Sequence, residues 1–282
     1  MYTTLVSTRD LAAHLADPSF VVLDVRHDLG QPGTWGEGEY RGAHLPGAQF
    51  VHLDRDLSAP KTGTNGRHPL PRPEALVATF GHLGIDATKQ VVAYDQGPGA
   101  YAARLWWMLR WLGHEAVAVL DGGFAAWARE GLPVTTEVPV VPPASFGARP
   151  PGPIVDAGAV QANLASHSLL LIDARGRERF RGDVEPIDKV AGHIPGSINR
   201  PFTENLGADG RFKPAPQLRE DFAALLQGRA AGAVVHSCGS GVTACHNLLA
   251  MEHAGLGGTQ LYAGSWSEWS ASPDRPIARG DA

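Results

Sequence analysis

Four blocks of this 282-residue chain occur twice, in the same order. VVLDVR at 21–26 is matched by LLIDAR at 170–175, and EYRGAHLPGAQF at 39–50 by DKVAGHIPGSIN at 188–199. VVAYDQGPGAYAARLWW at 91–107 corresponds to AVVHSCGSGVTACHNLL at 233–249, and VLDGGFAAW at 119–127 to LYAGSWSEW at 261–269. A repeat of this kind constrains the fold more than any local pattern. It predicts two homologous domains, over 1–135 and 154–282. The Pro-rich stretch between them, 136–153, reads as an extended linker.

Within each half, short apolar β-branched runs alternate with helical stretches. In the first half the pattern predicts strands near 21–24, 48–51, 91–95 and 117–120. Helices follow near 7–16, 73–83, 100–112 and 123–130, the first capped by Ser7 or Thr8 after a short strand. That alternation predicts an α/β fold in which each domain is a mainly parallel sheet flanked by helices. Sites in such sheets lie at the carboxyl ends of strands. Apolar residues make up 43% of the chain, enough for two cores, and the net charge of −5 argues against nucleic acid or an anionic membrane as partner. No run approaches the ~18 apolar residues of a membrane span, and the N-terminus lacks the pattern of a signal peptide. Two cysteines exclude a disulfide framework and point to a reducing, cytoplasmic location.

One of those cysteines sits in VVHSCGSGVTACH, 234–246, where an apolar run ends and a helix begins near Val242. This is the setting of a nucleophile. A thiolate gains from the partial positive charge and free N–H groups of a helix start. Gly239 and Gly241 let the backbone curl so that successive amides point inward, and Ser240 and Thr243 add hydroxyl donors. Asp95 holds the place of Cys238 in the first half, so that half is expected to be catalytically silent. The spacing Asp24 to Asp173 is 149, as is His44 to His193, but Asp95 to Cys238 is 143. The first half therefore carries six extra residues, in HLDRDLSAPKTGTNGRHPLP at 52–71. Its Gly- and Asn-rich tip reads as an exposed loop, and the reading places it over Cys238.

CGSGVTA, 238–244, resembles the active-site loop of the rhodanese superfamily, in particular that of the tandem-domain sulfurtransferases acting on 3-mercaptopyruvate. The thiosulfate type has Arg-Lys where Gly239 and Ser240 stand. HLPGA and HIPGS are similar to the family's His-[Leu/Ile]-Pro-Gly signature, and YAGSWSEW to its C-terminal one, with Ala263 where Asp is more usual. The resemblance covers nearly the whole chain. It implies two rhodanese-like domains and two-step sulfur transfer: from 3-mercaptopyruvate or thiosulfate onto Cys238 as a persulfide, then to cyanide, a small thiol or a thioredoxin-like protein. No metal or organic cofactor is implied. The loop residues Gly239, Gly241, Val242 and Thr243 would surround the sulfur. Arg179, in the Arg-Phe-x-Gly motif, would bind the donor's anion. A Ser-His-Asp triad proposed for the mercaptopyruvate group maps to Ser240, His68 and Asp54. The second arginine of that group, after Glu-Pro, is absent here, and Lys189 is the nearby cation.

The same loop admits two other readings. A cysteine phosphatase on this fold needs an arginine six residues after the cysteine, where Ala244 stands, because a guanidinium must clamp the phosphate. A non-catalytic sulfur carrier or binding module is opposed by the intact loop. Asp24, Asp173, His44 and His193 are duplicated across a cysteine-bearing and a cysteine-free half, so they are expected to serve the fold. Trp106, Trp107 and Trp111 fall at helical spacing and read as packing. Cys245 is expected one to two turns into the helix, in the core. No Cys-x-x-Cys or paired-His spacing marks a metal site.

Overall fold

The computed structural model describes residues 1–281. They form two compact units that are not contiguous in sequence. The first holds Met1–Ala59, Pro71–Gly152 and Ala208–Arg211; the second holds Pro60–Leu70, Pro153–Gly207 and the chain from Phe212 onward. The tip of the long loop, 60–70, thus counts with the second unit although its flanks belong to the first.

In the first unit β1 (Leu5–Val6) and α1 (Thr8–Ala12) precede β2 (Phe20–Asp24), α2 (Trp35–Gly42), β3 (Gln49–Phe50) and α3 (Leu53–Asp56). Then come α4 (Pro73–His82), β4 (Gln90–Tyr94), α5 (Ala100–Trp111), β5 (Val117–Leu120) and α6 (Gly123–Arg129). The five strands are parallel in the order β1-β5-β4-β2-β3. Strand β4 is central and wholly buried, which is why its sequence runs apolar instead of alternating. Helix α1 is shorter than the pattern suggested. Ser7 caps it as expected, its Oγ accepting the Asp10 N–H at 3.0 Å. Residues 13–16 are turns, because Pro18 and the Asp17 carboxylate, which binds Ser19, set a different backbone. Helices α2 and α3 lie in stretches too glycine-rich or too short to read from sequence.

The second unit has α7 (Ala157–Ser166), β6 (Leu170–Asp173), α8 (Arg177–Arg181), β7 (Ile198–Asn199) and α9 (Ala215–Leu226). It continues with β8 (Val234–Ser237), α10 (Thr243–His253), β9 (Gln260–Leu261) and α11 (Ser265–Trp269). Its sheet is also parallel, in the order β7-β6-β8-β9. Both Asp95 and Cys238 therefore follow an inner strand at its carboxyl end. Each unit has its own core. Val22, Val92, Tyr94 and Trp127 pack in one; Leu171, Val235, Trp266 and Trp269 pack in the other.

The duplicated polar residues build the same clasp twice. Asp24 accepts the Arg26 backbone N–H at 3.0 Å and its guanidinium at 2.7–3.1 Å, while Arg26 reaches the carbonyl of Ala43. Asp173 and Arg175 repeat this, with Arg175 reaching the carbonyl of Gly192 at 2.8 Å. Each carbonyl precedes the signature histidine. His44 stacks on Tyr40 and bonds its carbonyl; His193 stacks on Phe180 and does the same. These are buried ion pairs in which each arginine also bonds a backbone carbonyl, and Arg175 the Glu185 carboxylate at 3.5 Å as well, the kind of added bonding under which such a pair is tolerated.

Residues 136–153 contain no helix or strand, as an extended segment should, but they are not loose. The N–H groups of Ala144 and Arg149 donate to the carbonyls of Gly81 and Leu112 at 2.8 Å each, and Phe146 packs on Phe80. Gly81 permits this approach: a Cβ there would lie 2.8 Å from the Ala144 carbonyl. Trp106 is buried and donates to Thr3, while Trp107 stacks on Trp111, which donates to Gly152. All of this is packing within the first unit.

Candidate active site

Strand β8 delivers Cys238 to the start of α10, and the loop between them is tied down at both ends. The Cys238 N–H donates to the Ser265 hydroxyl at 3.0 Å, and the carbonyls of Cys238 and Gly239 accept the N–H groups of Trp266 and Ser267 at 3.0 and 2.9 Å. The C-terminal block YAGSWSEW is thus the cradle of the cysteine loop. Gly241 adopts φ +74°, and a Cβ on it would sit 2.3 Å from the Ala263 carbonyl, so glycine is required there. Its N–H donates to the Cys238 Sγ at 3.1 Å, aimed at the atom that must carry negative charge. Cys238 is only 2% exposed. Val242 is the N-cap of α10, and Thr243, its first residue, is half-buried.

Ser265 carries strain. It is one of the described non-glycine residues at positive φ, +53°. Its counterpart in the repeat is Gly123, φ +55°. The second half places a side chain where the first has none, and that side chain's oxygen holds the Cys238 amide.

The tip of the long loop brings a basic pair to the same place. His68 is buried, and its Nδ1 lies 2.7 Å from the Ser240 Oγ. Arg67 precedes it, with its backbone N–H on the Ser267 Oγ at 2.9 Å, its guanidinium paired to Asp188, and Nη2 3.5 Å from the Ser240 Oγ. Arg179 leaves α8 and forks onto Glu185 at 2.8–3.2 Å, with a further bond to Asp188 at 3.1 Å. Burial pushes the Glu185 carboxyl up, but hydrogen bonds from Arg179 and from the N–H groups of Asp188 and Ile187 outweigh it, and the net shift is downward. For Asp188 burial prevails over the Arg67 charge, and its carboxyl lies above the usual range. Burial alone would lower Arg175; its Asp173 partner reverses this, and the net shift is upward.

Among the residues singled out from sequence, Cys238, Gly239, Ser240, Gly241, Val242, Thr243, Arg179 and His68 all lie in the second unit. Asp54 is half-buried in the first turn of α3 in the first unit, its N–H donating to His52 Nδ1 at 3.1 Å. Lys189 is exposed on the turn before the His193 signature. Cys245 is fully buried but closer to the loop than expected. It is the third residue of α10, inside its first turn, and its S–H donates to the Gly241 carbonyl at 3.3 Å. Ala244 is fully buried in α10, so the position where a phosphatase needs its guanidinium carries a methyl group. The sequence reading missed Arg67, Glu185, Asp188 and Ser265. Arg67 alone left a signal: a cation adjacent to His68 in the loop already expected at the site.

Two parallel α/β units sharing one set of signatures, one of them ending its inner strand in a nested cysteine, define a tandem rhodanese-like protein. Comparison with known proteins agrees. The family model described as rhodanese-like domain matches residues 7–130 and 156–272. A Pseudomonas aeruginosa protein named "Probable 3-mercaptopyruvate sulfurtransferase" is 51% identical over 280 residues, 98% of this chain and 98% of its own. A Mycobacterium tuberculosis protein, named provisionally as thiosulfate sulfurtransferase SseB, is 40% identical over 99% of this chain and 98% of its own. The crystal structure of SseA from Escherichia coli, reported for the rhodanese fold and catalytic mechanism of 3-mercaptopyruvate sulfotransferases, matches with a TM-score of 0.80 at 34% identity. It covers 94% of this chain and 99% of that one. The chain belongs to the rhodanese-like family, and its chemistry is sulfur transfer.

Proposed function

We propose that the chain moves the thiol sulfur of 3-mercaptopyruvate, through a persulfide on Cys238, to a nucleophilic acceptor. The observation that carries this reading is the 2.7 Å contact between His68 Nδ1 and the Ser240 hydroxyl, two residues from the cysteine. The Cys238 thiolate attacks the donor's sulfur. The carbon–sulfur bond breaks, and its electron pair becomes the enolate of pyruvate. That enolate needs one proton, and the donor's S–H gives one up. The Ser240–His68 pair carries it across, in the direction its tautomer allows. Cys238 is left as Cys–S–S⁻. An acceptor such as cyanide, a small thiol or a thioredoxin-like protein then attacks the terminal sulfur, the sulfur–sulfur bond breaks, and its pair returns to Cys238. Splitting the transfer in two gives ping-pong kinetics.

Thiosulfate is the second donor, favoured by the name of the M. tuberculosis relative. Its leaving group, sulfite, departs with the bonding pair and needs no proton. This separates the donors experimentally. Replacing His68 or Ser240 should slow 3-mercaptopyruvate turnover by about 100-fold and thiosulfate turnover much less. Equal losses with both donors would remove the relay from the account. In this reading the first unit is catalytically silent, and the protein works in a reducing, cytoplasmic setting that keeps Cys238 available. Among the described residues no helix is long and apolar enough to cross a membrane.

A further inference from the structure

Arg67 has no part in the chemistry above, yet both its backbone and its guanidinium are held in place. Gly66, at φ +87°, brings the backbone so close to α11 that a Cβ would lie 3.1 Å from the Gly264 carbonyl. The Arg67 N–H is held by Ser267 at 2.9 Å. From that anchor the guanidinium runs back over the cysteine loop. Its Nη2 stands 2.8 Å from where a Gly239 Cβ would be, and both terminal nitrogens of Arg179 stand 3.7 Å from the same point. Two guanidinium groups therefore converge on the α-carbon next to the nucleophile.

Asp188 sets the convergence. One carboxylate oxygen pairs with Arg67 and the other with Arg179, 3.1 Å away. Arg179 is locked further by Glu185. Neither fork is used up by these partners. The buried Nε of Arg67 has no hydrogen-bond acceptor, and the bonds of Arg179 to Glu185 and Asp188 run from Nε and Nη2, with Nη1 3.7 Å from the Gly239 Cβ position. Both side chains keep about a fifth of their surface exposed, 18% for Arg67 and 21% for Arg179. A buried guanidinium donor without an acceptor, beside a second guanidinium and a nucleophile, calls for an anion.

We propose that Arg67 and Arg179 together grip the anionic end of the sulfur donor, a carboxylate in 3-mercaptopyruvate, with Asp188 as the residue that positions both forks. This rests on the sulfur-transfer reading and names the residue that sets its donor affinity. It also gives Arg67, rather than the exposed Lys189, the role of second cation. A planar carboxylate suits two guanidinium forks better than an ammonium point charge.

The test separates binding from turnover. On the Cys238→Ala background, which has no nucleophile, calorimetry reads 3-mercaptopyruvate binding directly. Adding Arg67→Gln should weaken it about tenfold or more, a loss of roughly 1.4 kcal/mol. Adding Arg67→Lys, which keeps the charge opposite Asp188 and guards against misfolding, should weaken it about threefold. With Cys238 intact, Arg67→Gln should raise the KM for 3-mercaptopyruvate by the same factor, with a smaller change in kcat. Gly239→Ala should raise KM as well, because its methyl group displaces Nη2. Equal binding in all variants, or no binding in the Cys238→Ala parent, overturns the clamp. A wild type that binds the donor but forms no persulfide overturns the sulfur-transfer reading and leaves the clamp standing.

Discussion

The loop after β4 and the loop after β8 are the same device holding different groups. In the first unit the Asp95 carboxylate lies in its own nest. It accepts the N–H groups of Gly97 and Gly99 at 3.0 Å each, of Tyr101 at 2.9 Å and of Ala102 at 3.4 Å. Its carbonyl and that of Gln96 accept the N–H groups of Phe124 and Ala125 at 2.8 and 3.0 Å, just as Cys238 and Gly239 are held by Trp266 and Ser267. The backbone cradle that holds the loop is therefore present twice. What differs is the occupant. Asp95 fills its nest with a permanent, fully buried carboxyl, pushed upward by burial against the pull of those four N–H groups. Cys238 presents a thiol whose Sγ accepts the Gly241 N–H at 3.1 Å.

The lesson is geometric. From Cβ to the charged oxygen Asp95 spans two bonds, and from Cβ to the outer sulfur a cysteine persulfide spans two bonds as well. By the register of the repeat, the counterparts of Gly97 and Gly99 are Ser240 and Val242. The backbone differs there: Gly99 stands at φ +83° and Val242 at −92°, and the left-handed turn of the second loop falls one residue earlier, on Gly241 at +74°, opposite Pro98, which has no N–H. The reach of the side chain is repeated, but the amides that meet it are not the same ones.

Removing each occupant is the most direct way to break the comparison. Cys238→Ala should reduce turnover with either donor by at least about 1,000-fold, since no other group can carry the sulfur. Restoring a thiol in the other loop, as Asp95→Cys on that background, should recover none of it. The first loop has no counterpart of the Ser240 hydroxyl: Gly97 stands there. Steady-state rates with cyanide as acceptor check both. Asp95→Ala should leave activity intact but strand four buried N–H groups, destabilising the first unit by about 3 kcal/mol in denaturant unfolding. Equal stability of wild type and Asp95→Ala would show that the carboxyl does not hold its nest together.

A smaller effect sharpens the contrast between the two strands. His236 in β8 stands where β4 has Ala93. It is fully buried, neither ring nitrogen has a hydrogen-bond partner among the described residues, and burial, with the Arg200 charge, lowers its pKa from 6.5 to about 3. The unfolded chain takes up a proton as pH falls through 6.5, whereas the folded chain resists until about 3. The stability this residue contributes is thus complete above the upper value and lost progressively toward the lower. Between about pH 7 and pH 5 the second unit should lose roughly 2 kcal/mol through His236 alone. His236→Leu should flatten that part of the profile; an unchanged slope would mean that the proton binds elsewhere.

Much of this was legible in the sequence because it is local or repeated. Short β-branched apolar runs marked β4 and β8, the repeat register put Cys238 opposite Asp95, and the mismatch in spacing located the loop whose tip joins the second unit. The fold role of Asp24, Asp173, His44 and His193 followed from their presence in both halves. What escaped was long-range. Arg67 meets Asp188 across 121 residues and Ser240 across 173, and no periodicity records such a pairing. Glu185 and Asp188 read as ordinary loop acids until Arg179 is seen to fork onto the first and touch the second. The strained backbone of Ser265 is hidden because serine at a glycine position looks like simple drift. Lys189 drew attention through its proximity in sequence, whereas the cation over the loop arrives from far along the chain.

The central claim is that sulfur rests on Cys238 between donor and acceptor. The direct measurement is intact-protein mass spectrometry after incubation with 3-mercaptopyruvate and no acceptor, followed by peptide mapping. The account predicts one added sulfur per chain, on the peptide bearing Cys238, discharged on adding cyanide and absent in Cys238→Ala. Unmodified protein that nevertheless releases pyruvate, or a sulfur mapped to Cys245, would contradict it.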